Sequence, residues 1–245
     1  MTAIQFLSGF ALPHAFVGTV ALATFWTAAF AKKGSTLHRS VGRIYLLAML
    51  GVLFTAIPLA LSQALKGQWV GATFLGYLVV LVGHSCRTAW TAIRFKHDFA
   101  RFTGTGFRIS AALLGATGLA VTVLGIVHGS VLLIIFGLIG PLGAWGARSL
   151  LRNGPQTPRW WLKEHYGAMI ANGVATHIAF LQIGLMRLVP ELGSGMIQHL
   201  AWFGPLALSF VAGWWLNRRY MRPRSKLPVS TGDESRAPTV ETQPS

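Results

Sequence analysis

The chain has 245 residues, of which 53% are hydrophobic and only 11% charged, with a mean hydropathy of +0.53. A soluble domain of this size carries about a quarter charged residues, so an ordinary water-soluble protein is excluded. The 21 lysines and arginines outnumber six acids and give a formal net charge of +15, but they cluster between apolar runs, which argues against nucleic acid as a partner and for a membrane protein.

A helix crossing a hydrocarbon core about 30 Å thick needs roughly 20 apolar residues. Seven segments meet that requirement: 8–31, 41–62, 69–91, 107–127, 130–150, 164–187 and 200–217. The expected fold class is therefore all-α, an integral membrane bundle of seven transmembrane helices over residues 1–220. The first segment has no positive n-region and reads as a retained span rather than a cleaved signal.

After it comes "KKGSTLHRSVGRIY", residues 32–45. Gly34 supplies a turn, and Ser35 or Thr36 caps the helix that begins the second span. His38, Gly42 and Tyr45 share a face at spacings of four and seven. Arg39 and Arg43 form a neighbouring i, i+4 pair, a fit for a lipid headgroup, a phosphate or a cofactor carboxylate.

In the third span Tyr77, His84 and Thr91 repeat every seven residues, with Thr88 four beyond His84, giving one polar stripe. The fourth and fifth spans are divided only by His128-Gly129-Ser130, which predicts a tight helical hairpin. Gly115, Gly118, Gly137, Gly140, Gly143 and Gly146 let backbones in these spans approach closely. In the sixth, His165, Met169, Asn172 and Thr176 fall on one face, while His177 points about 120° away from His165. From Pro223 the composition turns to Pro, Ser, Thr and isolated charges, which predicts a disordered cytoplasmic tail over 221–245.

Nineteen of the 21 cations flank the loops and tail of one side; only Lys66 and Arg187 fall on the other. Positive charge stays cytoplasmic, so the N-terminus is expected outside and the C-terminus inside, in a bacterial cytoplasmic membrane. The nine tryptophans lie near span ends, as an interfacial belt requires.

Ionisable groups inside a membrane are costly and mark function. No Asp or Glu lies mid-span, and the six lysines sit at span ends, in loops or in the tail. The single cysteine, Cys86, excludes an internal disulfide and any CxxC motif. Histidine remains. His14 and His177 lie in the outer half, each roughly 9 to 15 Å inward at 1.5 Å per residue, and His38, His84 and His165 in the inner half.

Two readings compete for these five. Imidazoles from facing helices ligate a metal or a haem iron, a haem b for instance, paired as His14 with His177 or as any two of the inner three. Arg39, Arg43 and Lys163 would then receive the cofactor's carboxylates. Alternatively, each histidine hydrogen-bonds a neighbouring helix, at roughly 1 kcal/mol apiece.

The segment "KGSTLHRSVGRIY" resembles the K-G-x-x-x-H-R-x-x-G-R-x-Y stretch of a family of uncharacterised bacterial multi-pass membrane proteins. His14 followed by Gly18, and "WWLKEHYGAMIANGVATHIAF" at the start of a later span, are similar to other features of that family. The later segment lacks the H-R-x-W-M-x-R form of many members. The resemblance implies a multi-pass architecture, marks His14, His38, Arg39, Gly42 and Arg43, and names no substrate. Three function classes stay open: a histidine-liganded cofactor protein, a carrier or channel for a small or anionic solute, and a non-enzymatic component acting through membrane lipids or protein partners.

Overall fold

The structure, a computed structural model, describes residues 2–182 and 195–221. Within them the chain forms nine helices: α1 (Ala3–Ser8), α2 (Ala11–Phe30), α3 (Thr36–Leu65), α4 (Trp69–Arg94), α5 (Phe99–Phe102), α6 (Thr105–Val127), α7 (Val131–Asn153), α8 (Trp160–Phe180) and α9 (Gly195–Tyr220). All regular structure among the described residues is helical. Five stretches, Ala3–Phe30, Thr36–Leu65, Trp69–Arg94, Thr105–Val127 and Val131–Asn153, are long and apolar enough to cross a membrane. The chain is an all-helical, multi-pass membrane protein.

α8 and α9 coincide with the sixth and seventh expected spans and have 21 and 26 residues. At 1.5 Å per residue they run about 31 and 39 Å. They are more polar than the other five, since α8 alone carries Lys163, Glu164, His165, Asn172 and His177. The expected outer end of the sixth span, with Arg187, lies outside the described residues, as does the expected tail from residue 222 onward.

One helix start is the expected one and another differs for a local reason. α3 begins at Thr36, where the expected cap is made: the Ser35 side chain accepts from His38 N at 3.2 Å. α8 begins at Trp160 rather than 164. Trp160 is no belt residue: it is 8% exposed and packs on Phe99 and Phe102, with ring centroids 5.1 and 4.9 Å away. That aromatic anchor adds a turn to the helix and brings Lys163 and Glu164 onto its body. Trp202 also leaves the belt, packing against Phe74 and Phe136. Trp26, Trp69, Trp90, Trp145, Trp214 and Trp215 are exposed.

α4 is the hub, packing on α3, α6 and α8. One core cluster joins α2, α3, α4 and α8 through Ala21, Tyr45, Met49, Cys86, Ala89 and Ala168. A second joins α4, α6, α7 and α8 through Tyr77, Leu114, Val121, Phe136 and Ile178. Large apolar side chains such as Leu47, Phe54 and Ile57 point outward from α3, a surface that hydrocarbon covers.

The α6–α7 hairpin is built on backbone contact. A Cβ placed on Gly118 would lie 2.7 Å from Gly137 O, one on Gly137 2.5 Å from Thr122 N, and one on Gly140 2.5 Å from Leu114 O. No side chain fits between these helices. Pro141, inside α7, faces the same contact and lies beside Gly118. Gly137→Ala should therefore lower the thermal stability of the detergent-solubilised protein by about 1–3 kcal/mol, whereas Gly76→Ala, with open space around the new methyl, should leave it unchanged or slightly raised.

Candidate functional site

The loop after α2 is held by its own cations. Lys33 Nζ donates to Ala28 O at 3.0 Å and to Ala29 O, closing the carbonyl end of α2. Partial burial there holds its ammonium below the usual lysine range. His38 Nδ1 reaches the same Ala28 O at 3.0 Å, and Gly34 makes the turn at φ +79°. Lys33, Ser35 and His38 thus form a hinge between α2 and α3. Arg39 and Arg43 point away from it and are exposed.

All five candidate histidines use Nδ1. His165 Nδ1 lies 3.0 Å from Ala89 O, and His177 Nδ1 lies 2.7 Å from Gly173 O. A carbonyl only accepts, so in His38, His165 and His177 the Nδ1 carries the proton. His14 Nδ1 lies 2.9 Å from Thr55 Oγ1, whose own proton goes to Gly51 O or Val52 O. His84 Nδ1 lies 2.9 Å from Ser110 Oγ, which donates to Phe107 O. In every case the partner assigns the proton to Nδ1 and leaves the lone pair on Nε2. That tautomer suits a metal ligand; it also suits a plain helix–helix tether.

The five do not form two layers. His177 packs edge-on against Phe25 and Trp26, each at 5.3 Å, while His14 sits eleven and twelve residues earlier on α2. That is about 16–18 Å along the axis, so the two are not neighbours. The mismatch arises because α2 and α8 are not level: His177, in the last turn of α8, meets the C-terminal half of α2. Of the inner three, His38 reaches back to Ala28 O of α2 and His165 reaches Ala89 O of α4. His84 turns instead to α6. No group of three or more His, Cys, Asp or Glu that would hold a metal ion occurs among the described residues.

The faces expected of α8 are realised. Met169 packs on the first core cluster, Asn172 Oδ1 accepts from Cys86 Sγ at 3.6 Å, and Thr176 Oγ1 meets both Tyr45 and Met49. The α4 stripe is realised too. Tyr77 donates to Phe136 O of α7 at 2.7 Å, two helical turns from the His84–Ser110 contact with α6.

Below that stripe lies a cleft that no single helix advertises. It has two lobes of about 410 and 440 Å³, both bordered by His84, Gly143, Lys163 and Glu164. Walls come from α4, α6, α7, α8 and α9, and one lobe opens at the α7–α8 connection beside Asn153 and Gln156. Tyr166 and Asn217 close the other rim, joined by a 2.6 Å hydrogen bond. Of the expected anion-binding residues, Lys163 lines this cleft and Arg39 and Arg43 are placed on α3 elsewhere.

Sequence reasoning missed Glu164, set aside as a span-edge acid, and Arg87, counted as a loop cation. The signal for Glu164 was the run Lys163-Glu164-His165 opening a span. No family model, curated protein or solved structure matches the chain.

The tautomer assignment has a direct check. Side-chain ¹⁵N spectra at mildly alkaline pH should show Nδ1 protonated and Nε2 bare in His38, His84 and His165; the reverse pattern, usual for free imidazole, would contradict the geometry.

Proposed function

We propose that the chain is a seven-span protein of a bacterial cytoplasmic membrane, with its N-terminus outside and C-terminus inside. It takes a small polar solute into the cleft around His84 and carries it across the bilayer. The supporting observation is the two-lobed cleft itself, one lobe apolar, bordered by a histidine, a lysine and a glutamate where the α7–α8 connection opens it. Small-molecule sites have this size and mix of lining. Glu164, in the second turn of α8, sets a carboxylate on the edge of the cleft, and the tight α6–α7 hairpin gives the cleft one rigid wall.

Orientation rests on the cation asymmetry, and the surrounding lipids are the expected partners. Membership of the family with the K-G-x-x-x-H-R segment belongs to the same proposal. Reporter fusions should place residue 2 outside and residue 221 inside.

Gly143 stands where the lobes join, so a large side chain there should close the passage. Efflux of small polar solutes from proteoliposomes should be faster with the wild-type chain than with empty vesicles for at least one solute. Gly143→Trp should return that efflux to the empty-vesicle rate. Equal rates in all three preparations for every solute would sink the carrier reading.

A second reading is favoured by the five bare Nε2 atoms. A pair of these histidines, His38 with His165 for instance, would ligate a metal or haem iron, with Nδ1–H held by backbone carbonyls. A reduced-minus-oxidised absorption band that disappears in His165→Ala would establish it, and a featureless spectrum with no stoichiometric metal would remove it.

A further inference from the structure

The lobes of the cleft differ in character. The one at the α7–α8 connection is bordered by Ser149, Asn153 and Gln156, whereas the other is walled by Leu81, Leu114, Ile139 and Ile170. Charge is concentrated where they meet. Lys163 and Glu164 are consecutive on α8 and so diverge by about 100°, which keeps them from facing each other. Both nevertheless border both lobes.

The α4 wall adds an unpartnered hydrogen-bonding group. Thr88, 5% exposed, lines the apolar lobe, and its hydroxyl has no protein partner. Its neighbour Arg87 borders neither lobe; that guanidinium packs against Gly106 and over the ring of Phe107, 5.8 Å away. A buried hydroxyl left unpaired is costly, so a ligand that satisfies Thr88 is favoured.

We propose that the solute is a small zwitterion with an apolar substituent, of the α-amino-acid class. Its carboxylate takes the side bounded by Lys163 and Thr88, its ammonium takes Glu164, and its apolar part fills the lobe walled by Leu81, Leu114, Ile139 and Ile170. This rests on the reading of the cleft as a solute site. A simple anion would meet the Glu164 carboxylate, and a simple cation would meet Lys163. A neutral solute would leave both charges without a counterpart. Only a ligand bearing both signs answers both walls. The head group of phosphatidylethanolamine offers a related ammonium-and-anion pair, so a lipid is the other source of the same chemistry.

The test is calorimetric binding to the full chain in phosphatidylglycerol nanodiscs, which offer no competing ammonium. L-leucine is compared with 4-methylpentanoate, which lacks the ammonium, and 3-methylbutylamine, which lacks the carboxylate. Leucine should bind at least about tenfold more tightly than either, as expected for loss of a charged hydrogen bond. Glu164→Gln should erase its advantage over the acid, Lys163→Met its advantage over the amine, and Thr88→Val should weaken it without disturbing the fold. Glu164→Gln and Lys163→Met both sit on the open cleft and are not expected to unfold the chain.

An analogue that binds as tightly as leucine overturns the zwitterion and leaves the solute cleft standing. Leucine binding unchanged in all three variants places it elsewhere and overturns the assignment. No binding by any of the three probes overturns it too, and if no solute moves in proteoliposomes either, the carrier reading falls with it. In phosphatidylethanolamine nanodiscs, leucine binding weakened by the lipid supports the head-group chemistry with lipid as its source; unchanged binding supports it with the free solute as its source.

Discussion

A polar side chain surrounded by hydrocarbon must find its hydrogen-bond partner inside the protein. This constraint organises the bundle. His14 ties α2 to Thr55 of α3, His38 ties α3 back to Ala28, and His165 ties α8 to Ala89 of α4. Tyr45 bridges α3 to Thr176 of α8, Tyr77 fixes α4 on the α7 backbone, and His84 fixes α4 on α6. Each tether sets the rotation of a helix, because its partner accepts in one place only. Apolar packing supplies the adhesion; these bonds supply the register.

The same constraint makes the exceptions informative. Arg87, Thr88, Asn172 and His177 each keep one buried polar atom without a protein partner. Asn172 and His177 sit in packed surroundings, the first in the α3–α4–α8 core and the second between Phe25 and Trp26. Thr88 instead borders the cleft. Where the bundle leaves both space and unmet hydrogen bonds, it has room for something other than itself. The glycine-lined contact between α6 and α7 holds one wall rigid, while α8 and α9 close the other side.

Much of the architecture was legible in the sequence because it depends on local periodicity. The α8 face of His165, Met169, Asn172 and Thr176, the α4 stripe, the Ser35 cap and the α6–α7 hairpin all follow from spacing along one helix. What depends on the level of one helix against another was not legible. His14 and His177 have similar apparent depths when counted from span ends, yet they meet different turns of α2. Glu164 looked like a span-edge acid because the start of α8 was placed four residues late. The cause was Trp160, whose burial among Phe99 and Phe102 is a tertiary fact with no periodic trace. The cleft itself is made by five helices and appears in none of them.

The central claim is that water and solute reach a cleft between α4, α7, α8 and α9. Cysteine accessibility measures this most directly, because Cys86 is buried and free and Cys86→Ser gives a clean background. Gly143→Cys and Ser209→Cys border the cleft, while the adjacent Leu142→Cys and Leu208→Cys replace side chains that are 60% and 69% exposed on the apolar outer surface. A membrane-impermeant thiol reagent applied from the C-terminal side should modify the first pair rapidly and spare the second. Equal reactivity within each adjacent pair would contradict the cleft and return its polar residues to helix packing.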